Sequence, residues 1–185
     1  MHNKLILTKE DIIKFWFEEI SPEQWFKKDK KFDAMLLERA GTAVRKALNG
    51  QLDKWSKSST GSVSLVILLD QFTRNIFRDT PKAFSGDEMA LVLSQKSINS
   101  EWFAKLSMAY KQFLLMPMMH SEDISIQEKS LPLFKQHTNK RTYEFAVKHR
   151  DIIAKFGRFP HRNQIINRPN TEEELIFLNQ SGSSF

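Results

Sequence analysis

The 185-residue sequence contains no cysteine. Disulfides, thiolate metal ligands and a cysteine nucleophile are therefore excluded, and with them the disulfide-stapled secreted scaffolds. Glycine and proline are sparse, at six residues each, which argues against a turn-rich all-β design. Long apolar runs are also missing. The longest, such as Leu65-Val66-Ile67-Leu68-Leu69, fall far short of the roughly 18 residues that a membrane span requires. Near the start only Leu5-Ile6-Leu7 are consecutively apolar before Thr8-Lys9-Glu10-Asp11, too few for the apolar core of an export signal, so a cytoplasmic location is expected. No phosphate-cradling glycine loop, dinucleotide fingerprint or nucleophile elbow is present to name a reaction or imply a cofactor.

What the chain does have is aromatic mass: 15 Phe and 4 Trp within a hydrophobic fraction of 41%. That much apolar area can offset the entropy of ordering a chain, and the length suits one core, so a single domain over residues 1–185 is expected. Lys and Arg total 28 against 22 Asp and Glu, a formal charge of +6. An acidic partner fits that balance. The basic residues group at Lys27, Lys28, Lys30 and Lys31, and again at Lys140-Arg141 and Lys148-His149-Arg150. Groups of this kind read as solvated helix faces, so nucleic acid, resting on net charge alone, is the lesser reading.

Helical signals recur throughout. Thr8 to Asp11 forms a capping box ahead of Ile12, Ile13, Trp16, Phe17 and Ile20. Ser21-Pro22-Glu23-Gln24 repeats the start signal and predicts a short second helix carrying Trp25 and Phe26. Phe32 to Leu48 keeps the 3.6-residue period and ends at Asn49-Gly50. Ser56 to Ser62 reads as a flexible loop. The stretch from Val63 to Phe77 is too long for a strand and predicts a buried helix. Further helices are expected over 87–98, over 101–116 with Ser100 as cap and Pro117 as stop, and over 125–137 with Ser121 as cap and a distortion at Pro132. The last long helix spans 139–156 and ends at Gly157, and Thr171-Glu172-Glu173-Glu174 caps a final short one. No strand signal appears. The fold class is all-α, a stack of antiparallel helices without a regular repeat.

Three constellations carry candidate chemistry. Asp70, Arg74 and Arg78 recur one turn apart, beside a ridge of Gln71 and Asn75, on a helix that is otherwise apolar. Burial there makes a guanidinium need planar acceptors, either as a structural pair with Asp70 or as a wall of a pocket lined by Arg74 and Asn75. The second constellation is His120-Ser121-Glu122-Asp123, where helix capping accounts for everything except His120. The third is Phe156-Gly157-Arg158-Phe159-Pro160-His161-Arg162-Asn163, two arginines, a histidine and an amide set among aromatic rings where a helix must stop. His149 adds a further imidazole. A histidine bonded to a carboxylate can move protons near neutral pH, with Arg74, Arg158 and Arg162 offsetting negative charge. Three histidines with Glu122 would suffice chemically for zinc, but none shows the paired spacing of a metal motif, so no metal is assigned.

These motifs, taken with Phe15-Trp16-Phe17, Trp25 to Asp29, Leu69 to Arg78 followed by Thr80-Pro81, Ala83-Phe84 and Asp87, Gln127, Ile153, and the closing Gly182-Ser183-Ser184-Phe185, resemble the bacterial domain-of-unknown-function family 924 over almost the whole chain. The resemblance implies an all-helical, irregular right-handed superhelix of antiparallel helix pairs, similar to tetratricopeptide-repeat proteins, and implies no activity. Its polar motifs map onto Asp70, Gln71, Arg74, Asn75, His120, Ser121, Glu122, His149, Arg158, His161, Arg162 and Asn163. The sequence departs from the family pattern at Thr73, where proline is usual, at Met119, where glutamate is usual, and at Ile166-Asn167-Arg168, in place of Leu-Gly-Arg.

The functional expectation is a polar, cationic pocket for a small anionic molecule. His120, His149 and His161 would be its acid/base groups, and Asp70, Arg74, Asn75, Glu122, Arg158, Arg162 and Asn163 its ligand-binding residues. The alternative is a tetratricopeptide-like scaffold that clamps an acidic peptide.

Overall fold

The computed structural model describes residues 7–183, and every described element is helical. Most of the Leu5-Ile6-Leu7 segment and the closing Ser184-Phe185 lie outside the described residues.

The first helix, α1 (Lys9–Lys14), is closed at its start by reciprocal bonds between Thr8 and Asp11, and runs straight into a π-helical turn at Phe15–Glu19. The expected second helix does not form. Ser21 to Phe26 is a turn in which the Ser21 amide donates to Gln24 Oε1 at 2.9 Å. Too few residues precede the cap at Asp29 to repay helix nucleation. Trp25 is held instead by its indole N–H, which donates to the Trp16 carbonyl at 2.8 Å, and by edge contact with Phe113.

Helix α2 (Lys30–Leu48) starts at Asp29, whose carboxylate accepts the amides of Lys31 and Phe32. The Ser-rich segment that follows is built rather than loose. A 3₁₀ turn at Asp53–Lys57 leads to Ser58, which caps α3 (Ser59–Val66), and a Cβ on Gly61 would stand 2.0 Å from the Trp55 carbonyl oxygen. The small residues are there for close approach. α3 continues through a second π-helical turn, Ile67–Phe72, into α4 (Thr73–Ile76), giving the long buried helix the apolar run predicts.

After α5 (Asp87–Ile98), the helix expected from Ser100 begins later. Residues 103–105 form a 3₁₀ turn, and Ser107 caps α6 (Met108–Met119), which contains Pro117 and stops three residues beyond it at His120. A proline in the last turn forfeits one backbone bond without ending the helix at once. α7 (Ile124–His137) is capped by Asp123 rather than Ser121 and continues through Pro132. α8 (Lys140–Phe156) ends at Gly157 with φ of 68°, a left-handed stop that glycine adopts without a Cβ penalty. A 3₁₀ turn at Pro160–Arg162 and α9 (Glu172–Leu178), capped by Thr171 and Glu174, complete the chain.

Successive helices from α5 to α8 pack pairwise, and α3 lies against α1, α5 and α6. The main core centres on Trp16, Phe72 and Phe113, whose rings meet edge to face. Each fully buried large apolar side chain of this kind contributes roughly 1.5–3 kcal/mol. A smaller cluster of Ile152, Ile153 and Phe159, backed by Phe156 and Phe177, sits under the Gly157 corner and seats it on α8 and α9.

Candidate functional site

The π-helical turn in the middle of the α3–α4 helix carries a carboxylate into the protein interior. Asp70 is completely buried, and buried carboxylates persist only when their lone pairs are occupied. Here Gln71 Nε2 donates to Oδ2 at 2.6 Å, Arg74 Nη2 lies 3.3 Å from Oδ1, and His120 Nδ1 lies 2.7 Å from the same oxygen. His120 reaches it from the end of α6. Because an ionised carboxylate only accepts, Nδ1 must carry the proton, and in the neutral ring Nε2 then holds a lone pair. His120 Nε2 makes no hydrogen bond to any described residue.

Arg74 extends from Asp70 to the start of α5. It donates to the Ala83 carbonyl at 3.2 Å and to Asp87 Oδ2 at 3.1 Å, and its Nη1 stands 2.9 Å from Asp87 Oδ1. Arg162, from the corner after α8, meets the same Asp87 Oδ2 at 3.4 Å and donates to the His120 carbonyl at 2.9 Å. Its guanidinium is clamped between aromatic faces, 4.7 Å from the centre of Phe84 and 4.6 Å from that of Phe159. Stacking of this kind suits the planar, weakly hydrated guanidinium. Two carboxylates and two guanidiniums thus share one cluster at the edge of His120.

The other imidazoles follow through Phe159. His149 on α8 packs edge-on against the Phe159 ring at 5.6 Å and lies 6.1 Å from the His120 ring, while His161 lies 5.5 Å from Phe159. His149 Nδ1 is 2.8 Å from the Phe145 carbonyl, an acceptor, so this nitrogen too is the protonated one in the neutral ring. The structure therefore brings together Asp70, Arg74, His120, His149, His161 and Arg162 from four separate stretches of chain.

The remaining candidates are engaged next door. Arg158 makes a forked pair with Glu174 at 2.6 and 2.8 Å and also donates to the Pro169 carbonyl. Asn163 Nδ2 donates to Asn170 and Glu174. Glu122 accepts the Phe159 amide at 2.8 Å and a forked pair from Arg168 at 2.6 and 2.8 Å. Asn75 donates to the Gln71 carbonyl and accepts from Arg78, which itself pairs with Asp33. These four brace the corner and the helix rather than facing His120. Asp87, Phe84 and Arg168 were not among the residues expected in the site. Asp87, the first residue of α5 after Gly86, carried a weak signal as an acidic helix start that any helix can show.

Burial and charge set the protonation states. Burial alone would raise the Asp70 carboxyl, but His120 and Arg74 outweigh it and hold it well below the usual range. With the ring neutral, the Arg74 charge and the N–H donors of His120 and Gln71 maintain that anion. Burial lowers His120 against the pull of Asp70. His149 is pushed down to about 3, first by burial and then by the repulsion that a protonated His120 exerts. His161 is also pushed down to about 3, by burial and then by Arg162, with Lys28 and Arg74 adding to the effect. Burial and the like charge of Arg74 bring Arg162 to about 10, still a cation at neutral pH. The arrangement can place a neutral imidazole, oriented by a buried carboxylate, beside two fixed cations. Among the described residues no group of three or more His, Asp or Glu side chains could hold a metal ion, and no described helix is long and apolar enough to cross a membrane.

A family model described as "bacterial protein of unknown function (DUF924)" matches residues 12–182. A solved structure of a protein of unknown function from Agrobacterium tumefaciens is 35% identical, with a TM-score of 0.87 over 92% of this chain and 96% of that one. No curated protein matches the sequence.

Proposed function

Since the chain belongs to the bacterial DUF924 family, described only as of unknown function, we propose a role from the chemistry of its own cluster: binding of a small anionic molecule beside Arg74 and Arg162, with His120 moving a proton to or from it. The observation that carries this reading is the Asp70–His120 bond of 2.7 Å, which commits Nδ1 and leaves Nε2 without a hydrogen bond to any described residue, on a histidine whose carboxylate partner also meets Arg74 and whose backbone carbonyl meets Arg162. A carboxylate behind an imidazole fixes its tautomer and orientation and supports the charge it gains on taking up a proton. Arg74 and Arg162 are balanced by Asp70 and Asp87, so their contribution is local: fixed guanidinium donors meet negative charge on a bound molecule and cost no reorganisation when it develops. His149 and His161, neutral through burial, would line the same site without adding charge.

The pairwise packing of α5 to α8 supports a tetratricopeptide-like superhelix as the frame for this site. A small molecule is favoured over an acidic peptide because the side chains of Arg74 and Arg162 are only 21% and 10% exposed, gathered around Asp87 rather than spread along an open groove.

The test is a thermal-shift titration of the full chain with inorganic phosphate, a sugar phosphate, acetate and lactate, since a ligand that binds only the native state raises Tm. A concentration-dependent rise is expected with at least one of these anions, lost in Arg162→Gln and accompanied in the native protein by a change in the His120 imidazole resonances. If none of the anions raises Tm, the reading falls.

A further inference from the structure

Two polar atoms of the cluster are buried and lack hydrogen-bond partners among the described residues, Arg162 Nε and Asp87 Oδ1. They belong to side chains already in contact, with Arg162 Nη1 3.4 Å from Asp87 Oδ2. The other two nitrogens of Arg162 each have a partner, Nη1 in Asp87 and Nη2 in the His120 carbonyl, so Nε is the guanidinium nitrogen without one. The Arg162 side chain is more than nine-tenths buried and held between Phe84 and Phe159, which prevents it from swinging out to water for a partner. Asp87 Oδ1 has the Arg74 charge at 2.9 Å but no aligned N–H. Buried donors and acceptors are almost always satisfied, and one of each sign in the same cluster calls for a molecule that supplies both.

We propose that the ligand of this site is a carboxylic acid bearing a hydrogen-bond donor, hydroxyl or ammonium, on the carbon next to its carboxylate. One carboxylate oxygen accepts Arg162 Nε–H, and the neighbouring O–H or N–H donates to Asp87 Oδ1. The inference rests on the anion-binding reading above and narrows it. Charge balance separates this class from phosphates. Asp70 and Asp87 already match Arg74 and Arg162, so a molecule with one negative charge, or a zwitterion, adds less uncompensated charge to a buried cluster than a phosphate carrying close to two.

Lactate, alanine and propionate share a three-carbon acid skeleton and differ only in carrying a hydroxyl, an ammonium or neither on the adjacent carbon. Titration of the full chain with each, followed by amide and imidazole NMR shifts, tests the proposal directly. Lactate or alanine is expected to bind at least about tenfold more tightly than propionate, because propionate leaves Asp87 Oδ1 without a donor. Which of the two binds better identifies the donor, and Asp87→Asn is expected to weaken alanine more than lactate, since it removes the charge that an ammonium would meet. Equal binding of all three acids overturns the donor requirement while leaving the anion-binding reading intact. Binding of inorganic phosphate but of none of the three acids overturns the ligand class alone. Failure of both phosphate and the acids overturns the class together with the reading beneath it.

Discussion

Arg168 meets Glu122 through two hydrogen bonds of 2.6 and 2.8 Å, and the same carboxylate accepts the Phe159 amide, so the loop after His120 and the corner bearing Arg162 are tied at one point. Arg168 reinforces the tie by donating to Asn163 Oδ1 and to the Phe159 carbonyl. Arg162 in turn reaches the His120 carbonyl. The clasp therefore governs how Arg162 sits relative to His120, although neither Glu122 nor Arg168 touches the imidazole.

Glu122→Gln keeps the size of this group and removes its charge. The forked pair with Arg168 is lost as an ion pair, while an amide oxygen remains for the Phe159 N–H. Both partners are partly exposed, so the stability cost is modest, about 1–2 kcal/mol. The local effect is larger than the global one: hydrogen exchange at Phe159, Arg162 and Asn163 is expected to accelerate more than exchange within α6. Uniform acceleration across the chain would show that the clasp only adds general stability.

Arg158→Ala is expected to act on folding, not on ligands. Its partner Glu174 is almost fully buried, is held down to about 2 chiefly by its bonds with Arg158, and supports Asn163 and the start of α9. Removing the guanidinium leaves the Glu174 carboxylate without its main partner, so the variant is expected to be clearly less stable than the native protein. Urea denaturation measures it, and Arg158→Ala with Glu174→Gln together should recover part of the loss. A variant of unchanged stability would return Arg158 to the list of residues available to a ligand.

Much of this was legible in the sequence. The capping boxes at Thr8 and Thr171 and the left-handed stop at Gly157 declare themselves through local chemistry, and so do the helices they bound. The i,i+4 spacing of Asp70 and Arg74 in an apolar helix announced a buried pair. The turn at Ser21 and the late start of α6 were not legible, because both are decided by where Trp25 and Phe103 find core partners rather than by their neighbours in sequence. Nor was the division of the corner into two networks. Arg158 and Arg162 stand four residues apart, yet one faces Glu174 and the other Asp87, a choice made by contacts 16 and 75 residues away.

Acid should unfold the protein in two stages. For His149 and His161 the folded-state value, about 3, lies below the ordinary 6.5, so the unfolded chain binds protons that the folded one refuses. Their neutrality contributes stability fully above pH 6.5 and loses it as pH falls from there toward 3, at about 1.4 kcal/mol per pH unit for each histidine well inside that window. The carboxylates follow the opposite assignment with the same sign: Asp70 and Glu174 are lowered from 3.8 and 4.5, so their contribution is lost only as pH falls below those values. Loss between pH 6.5 and 5 is thus a histidine effect, and His149→Gln should reduce it, with His161 maintaining the remainder, in urea midpoints measured across that range. A midpoint independent of pH there would mean that the rings are not buried as neutral groups.

Gly86 is the position from which the whole cluster can be displaced by one methyl group. A Cβ built on it would stand 2.1 Å from the Leu69 carbonyl oxygen and 2.9 Å from the carbonyl carbon, both rigid backbone, so no side-chain movement relieves the clash. Only withdrawal of the start of α5 from the π-helical turn can. Asp87, the next residue, would move with it, away from Arg74 Nη1 at 2.9 Å and Arg162 Nη1 at 3.4 Å, and both guanidiniums would lose their shared counter-ion. Gly86→Ala is therefore expected to cost at least about 3 kcal/mol, combining overpacking with a broken ion pair. Gly182→Ala supplies the comparison, because its Cβ meets no atom within 4 Å and only its φ of 82° resists substitution, which limits the cost to roughly 1 kcal/mol. Chemical denaturation of the two variants decides the matter. If Gly86→Ala is no more damaging than Gly182→Ala, the approach of α5 to the Leu69 carbonyl is looser than the structure shows, and the position of Asp87 between its two arginines is set by the ion pairs themselves.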